Sequence, residues 1–213
     1  MTNLFSNFQD QREVLDLSIF GDELAFKTSW DPLVRQGNSM CTHKLQKTPP
    51  HLSGDLLSFK VSFSTILFSA ILSLGGLGWL LFDAIPSENE LAIFLSLTFV
   101  GAGFLVWWFT KKAESVFDRS SRSLAIGGKS YNLDQVCAIQ LIRELVNQSG
   151  TFFISYELNL VCANAERINI VDHGSLRTIR KDADVLADYL SIPVWDAIDF
   201  RIPEQGSSLG CQT

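Results

Sequence analysis

The chain has 213 residues, 46% apolar and only 19% charged, with 17 basic against 23 acidic residues and a formal net charge of −6. That length suits one domain, or one domain with a membrane anchor. The acidic balance counts against nucleic acid as a partner, which calls for a basic field, and the 4 Cys are too sparse for a disulfide scaffold.

The first arm covers residues 1–60. Its opening, MTNLFSNFQDQ, lacks a basic n-region and a long apolar h-region, so no signal peptide is expected. VLDLSIF (Val14 to Phe20) and LAFKTSW (Leu24 to Trp30) read as two strands joined by a turn at Gly21-Asp22-Glu23. Ser39 to Leu45 reads as a further short strand, and Thr48-Pro49-Pro50-His51 as a linker. LLSFKV then leads into an apolar region.

Residues 61–110 decide the class. Val61 to Phe82 holds no charge in 22 residues, and Leu91 to Thr110 holds none in 20. At ~1.5 Å per residue each helix reaches ~30 Å, the thickness of a hydrocarbon core. The connection DAIPSENE is too short for a domain, so the two helices are expected to form an antiparallel transmembrane hairpin. The loop carries Asp83, Glu88 and Glu90 without Lys or Arg, whereas Lys44, Lys47 and Lys60 precede the hairpin and Lys111 and Lys112 follow it. Basic residues stay on the cytoplasmic side, which predicts a multi-pass membrane protein with both termini cytoplasmic and the short loop outside or in the periplasm. The Cys residues are then expected to be reduced thiols. Trp79, Trp107 and Trp108 stand where indoles anchor at an interface. Gly75, Gly76, Gly78, Gly101 and Gly103 permit close helix packing, within the hairpin or against a partner subunit or second copy of the chain. No ionisable group lies inside either run, which counts against transport.

The second arm, 111–200, reads as consecutive strands. Ser115 to Asp118, Ser123 to Ile126, Asp134 to Ile142, Phe152 to Cys162 and Arg167 to Val171 are strand-like, separated by turns at Arg119-Ser120-Ser121, Gly127-Gly128, Asn147 to Gly150 and Asn164-Ala165-Glu166. In YELNLVC the period of two sets Tyr156, Leu158, Leu160 and Cys162 on one face and Glu157 and Asn159 on the other. Ala183, Leu186, Ala187 and Leu190 give the apolar stripe of a helix, with Asp182, Asp184 and Asp188 expected in water and a limit near Ile192 set by Pro193. The tail 201–213 is polar and expected to be flexible. One helix after several strands leaves a sheet face uncovered, so the first arm is expected to add two or three strands to a split domain.

The fold class expected is therefore membrane α+β, a two-helix hairpin plus a mostly antiparallel β domain with a C-terminal helix. That order, with the phrases YELNLV, RINIVDHG, DADVLADYL and PVWD, resembles the pleckstrin-homology-like (PH-like) fold of small bacterial proteins with two transmembrane helices. The resemblance covers Val61 to about Phe200 and implies an adaptor or assembly role. The lipid-binding version of that fold uses basic residues in its first strand loop. Here that loop offers Arg119 and Arg122 beside Asp118.

Asp172-His173 is the one pair that could orient a general base, and a hydrolase using it is an alternative function. The plainer reading is a strand end closed by Gly174. Glu157, Asn159, Arg167 and Asn169 would lie side by side across a hairpin, as simple structure or as an outward polar docking surface. Cys41, Cys137, Cys162 and Cys211 show no CxxC, and the sequence predicts no metal and no cofactor. Gly127-Gly128-Lys129-Ser130 lacks the spacing of a phosphate loop. The function expected is a non-catalytic membrane-anchored adaptor or accessory subunit, with a lipid or small-ligand sensor as the non-enzymatic rival. The net negative charge of the soluble part is expected to oppose an anionic surface.

Overall fold

A computed structural model describes residues 11–34, 37–48, 55–148 and 150–202. The fold is mixed α+β with two sheets, and it divides into two units, 40–134 and the pair 1–39 with 135–213. The expected linker falls mostly outside the described residues, as do the tail beyond Ile202, His51 and Cys211.

Residues 40–134 form a five-stranded antiparallel sheet, β1 (His43–Lys47), β2 (Leu56–Val61), β3 (Ser115–Asp118), β4 (Ser123–Ile126) and β5 (Lys129–Asn132), in sequence order. The β4–β5 turn needs Gly127 and Gly128 at φ 59° and 78°, the left-handed pair of a two-residue hairpin. Leu57, Phe59, Phe117 and Leu124 are fully buried, all on one face of the pleat.

Two apolar helices are inserted between β2 and β3. The first spans Phe63–Trp79 and continues as a π-helical turn over Leu80–Ala84; the second spans Glu90–Lys112. With the short helix α1 (Glu23–Lys27) preceding them, they are α2 and α3. Ser62 caps α2 by accepting the Thr65 N–H, and Asn89 caps α3 by accepting that of Ala92. Lys111 and Lys112 occupy the last turn of α3, the end where the helix dipole favours cations. Both helices are long and apolar enough to cross a membrane. They have 22 and 23 residues and mean hydropathies of 1.9 and 2.0, and only 11% and 17% of their most apolar stretches is buried.

Strand and helix meet with little slack. Neighbouring strands lie ~4.8 Å apart but packed helices 8–10 Å, so the two chains must splay where β2 becomes α2 and α3 becomes β3. The Val61 N–H accordingly finds the Glu114 carboxylate at 3.1 Å instead of a ladder carbonyl. His43 Nε2 donates to Thr110 O at the end of α3, at 2.9 Å.

The second unit carries β6 (Val136–Gln148), β7 (Thr151–Cys162), β8 (Arg167–His173), helix α4 (Leu176–Leu190) and β9 (Val194–Asp196). The sheet order is β8-β7-β6-β9, antiparallel except for β9, which runs parallel to β6. Ile179, Ala183, Leu186 and Tyr189 of α4 are buried, and α4 packs on β6, β7 and β8. Ser175 caps the helix and Ser191 ends it in the left-handed region.

The N-terminal arm departs from expectation. Neither Val14 to Phe20 nor Leu24 to Trp30 is a strand: Leu17–Phe20 is a 3-10 turn and α1 follows it. The Asp16 and Asp22 side chains accept the N–H groups of Ser18 and Leu24, and Gly21 turns the chain at φ 61°. These local caps outcompete extension. Among its described residues the first arm instead supplies two strands further along, β1 and β2. β2 pairs with β3 across the inserted helices, so the arm does complete a split sheet, the five-stranded one; it adds no strand to the β6–β9 sheet. Residues 15–30 cover the second sheet, where Leu15, Ala25 and Trp30 form a core with Ala138, Val161 and Trp195. The rings of Phe20 and Trp30 stack at 5.2 Å, and Trp195 lies against both.

Candidate functional site

The polar groups singled out in the sequence meet on the face of the β6–β9 sheet turned away from α4. The register sets Gln140 opposite Asn159, Ile142 opposite Glu157 and Glu144 opposite Ser155. Asn169 lies opposite Asn159 on β8, and Asp172 opposite Glu157. An odd separation such as 169 to 172 would normally split two residues between faces. A bulge between these positions adds one residue to β8 and restores Asp172 to the face of Asn169.

This face is not open. Gln140, Ser155, Glu157 and Asn159 are all 0% exposed. Residues 29–34 and 37–38 lie across them and offer backbone groups in place of water. The Glu157 carboxylate accepts the N–H of Val34 at 2.7 Å and of Leu33 at 3.0 Å, and the Asn159 side-chain amide at 3.0 Å. Ser155 Oγ accepts the Asn38 N–H at 2.8 Å. Gln140 Nε2 donates to Ser29 O, and Arg167 donates to Asp31 O at 2.7 Å and to Gln140 Oε1 at 3.1 Å. Asn169 Nδ2 bridges Asn159 Oδ1 and Asp172 Oδ1. Gly37 is required, because a Cβ there would collide with the Ser155 side chain. The outward docking surface expected at Glu157, Asn159, Arg167 and Asn169 is thus corrected: alternation identified the face, and the chain's own arm occupies it.

Burial shapes the electrostatics. Desolvation, then the charges of Glu157 and Glu144, raises Asp172 to about 7 against the lowering effect of the Asn169 hydrogen bond. Burial also raises Glu144, helped by Glu157 and opposed by the Gly37 N–H.

Asp172 and His173 turn to opposite faces of the sheet. Successive strand residues project to opposite faces. Asp172 turns to Asn169, whereas fully buried His173 turns to Asp182 of α4, with Nε2 and Oδ2 3.5 Å apart. Asp182 is 8% exposed, so it does not face water as the helical pattern had suggested. Gly174 fits because a Cβ there would meet Ser39 O. Arg180 lies in the second turn of α4 and joins Asp196 and Asp199 at 2.6 Å each. Among the described residues, no group of three or more His, Cys, Asp or Glu side chains is placed to hold a metal ion.

The five hairpin glycines divide into two sets. A Cβ at Gly76 would lie 2.9 Å from Phe99 Cβ and Ser96 O, and one at Gly103 would lie 2.6 Å from Ser69 O, so these two make the close α2–α3 contact. Gly75, Gly78 and Gly101 meet nothing within 4 Å.

No protein-family model matches the chain, and no curated protein matches it. Gln140, Ser155, Glu144 and the covering arm were missed in the sequence. Gln140 alone left a trace there, as a polar residue inside the apolar run VCAIQLI.

Proposed function

We propose that this chain is a non-catalytic accessory subunit anchored in the bacterial inner membrane by α2 and α3, with both termini in the cytoplasm and the acidic loop outside. The observation that carries the proposal is the outward surface of the hairpin. It is apolar along its length, and Gly75, Gly78 and Gly101 leave backbone uncovered where another helix can approach. The partner is a membrane subunit or a second copy of the chain. The closed polar network supports a non-catalytic reading, since a satisfied carboxylate under a backbone cover has no room for substrate. The PH-like relationship is part of the same proposal: β3 to β8 precede a single amphipathic helix, and β9 is an addition to that order.

Gentle-detergent purification of the full chain tests the proposal, with Leu at Gly75, Gly78 or Gly101 set against Leu at Gly76 or Gly103. A stoichiometric membrane partner or homo-oligomer should be recovered from wild type. The first set should lose it while the hairpin stays folded, whereas the second set should lower thermal stability whether or not a partner is bound. Recovery as a monomer, unaffected by the first set, would refute it.

A further inference from the structure

The strand register of the five-stranded sheet sorts its charges along the strand axis. Behind the His43–Val61 pair at the helix junction, the next cross-strand row pairs Lys44 with Lys60, and the one after it runs through Leu45, Phe59, Ser115, Ile126 and Lys129. With Lys111 and Lys112 closing α3, five lysines gather at the helix end of the sheet against a single carboxylate, Glu114. The opposite end is balanced. There Lys47 and Arg119 face Asp55 at 3.8 Å, Arg122 pairs with Asp134, and Asp118 caps the β3–β4 turn.

At the helix end only Lys111 is neutralised, by Glu114 at 2.7 Å. Lys44, Lys60, Lys112 and Lys129 are exposed, and none has a carboxylate partner among the described residues. Like charges set directly across a ladder are destabilising unless an anion intervenes, and Lys44 and Lys60 are so placed. Trp107 and Trp108, 41% and 51% exposed, lie one turn inside Lys111 and Lys112, the depth at which indoles rest at a bilayer interface.

Net charge conceals this arrangement. Residues 40–61 and 111–134 hold 8 Lys and Arg against 4 Asp and Glu, while 1–39 with 135–213 hold 9 against 16. The negative charge that argued against an anionic surface belongs to the other unit.

We infer that the helix end of this sheet, through Lys44, Lys60, Lys112 and Lys129, binds the phosphate headgroups of anionic phospholipids in the leaflet that α2 and α3 enter. The inference rests on the membrane-spanning reading, and one experiment separates the two. The full chain is reconstituted in phosphatidylcholine bilayers containing brominated phosphatidylcholine or brominated phosphatidylglycerol, and tryptophan quenching is recorded. Stronger quenching by the brominated anionic lipid at equal mole fraction is expected. Each of K44Q, K60Q, K112Q and K129Q should lower that preference, by up to about fivefold per lysine at low salt. A control carrying K47Q and R119Q should keep it. Equal quenching by the two lipids in wild type, or a preference that survives all four substitutions, overturns the lipid site and leaves the anchor standing. Absence of quenching by either lipid overturns the spanning reading and the lipid site with it.

Discussion

Replacing Glu157 with Ala should release the N-terminal arm. Glu157 is 0% exposed, and its carboxylate accepts three N–H groups, from Leu33, Val34 and Asn159. Hydrogen bonds to a charged group contribute roughly 1.5–3 kcal/mol each, and a buried donor left without an acceptor costs a similar amount. The loss has a ceiling, because the arm can lift and let water reach the Leu33 and Val34 amides. We therefore expect about 3–5 kcal/mol, a large share of the 5–15 kcal/mol typical of a folded domain. Glu157→Gln keeps the shape but turns an NH2 group toward other donors, and should lose about half as much. Urea unfolding of the full chain in detergent, followed by tryptophan emission, gives the energy. Trp30 is a local reporter because it belongs to the same arm and is buried where the arm packs on the sheet. Hydrogen exchange at Leu33 and Val34 gives the location. A loss below about 1 kcal/mol, with both amides as protected as in wild type, would refute the latch.

Asp172 binds its proton more tightly folded than unfolded, since its value rises from 3.8 to about 7. Its contribution to stability is therefore present at low pH and is lost as pH rises through about 7, amounting to roughly 2–3 kcal/mol between about pH 5 and pH 8. Asp172→Asn should remove that part of the slope, and unfolding midpoints at the two pH values measure it. For orientation, a cysteine at Ser87 in an otherwise cysteine-free chain should react with an impermeant reagent in intact cells, and one at Ser121 only after permeabilisation; the reverse pattern would invert the proposed topology.

Where local chemistry and tertiary packing agree, the sequence was legible. β3 and β4 fall at the positions read from the alternation, and the end of α4 follows from Pro193. The apolar helices announce themselves by length and lack of charge. The N-terminal arm failed the same reading because its apolar residues contact the sheet from tight helical turns, which mimic alternation over seven residues. The polar face failed for another reason. A period of two sorts residues between faces but says nothing about what lies on each, and the cover comes from more than 100 residues away, as the Leu33–Glu157 bond shows. The bulge in β8 was equally invisible, yet it decides that Asp172 joins Asn169 and parts from His173.

β2 leads into α2 through Ser62 alone, and α3 passes into β3 through Ala113 and Glu114. Two periodicities are thereby geared together without a flexible coupling. Adding one residue at either junction would turn the attached helix by about 100° about its axis. Absorbed on the strand side instead, the same residue would exchange the two faces of that strand. Neither element could accommodate the change alone, so indels should be excluded from these junctions while the loop Asp83 to Glu90 tolerates them. The hairpin's outward glycines and the sheet's lysines are in this sense cut on one shaft, and a force that tilts the helices must tilt the sheet by the same angle.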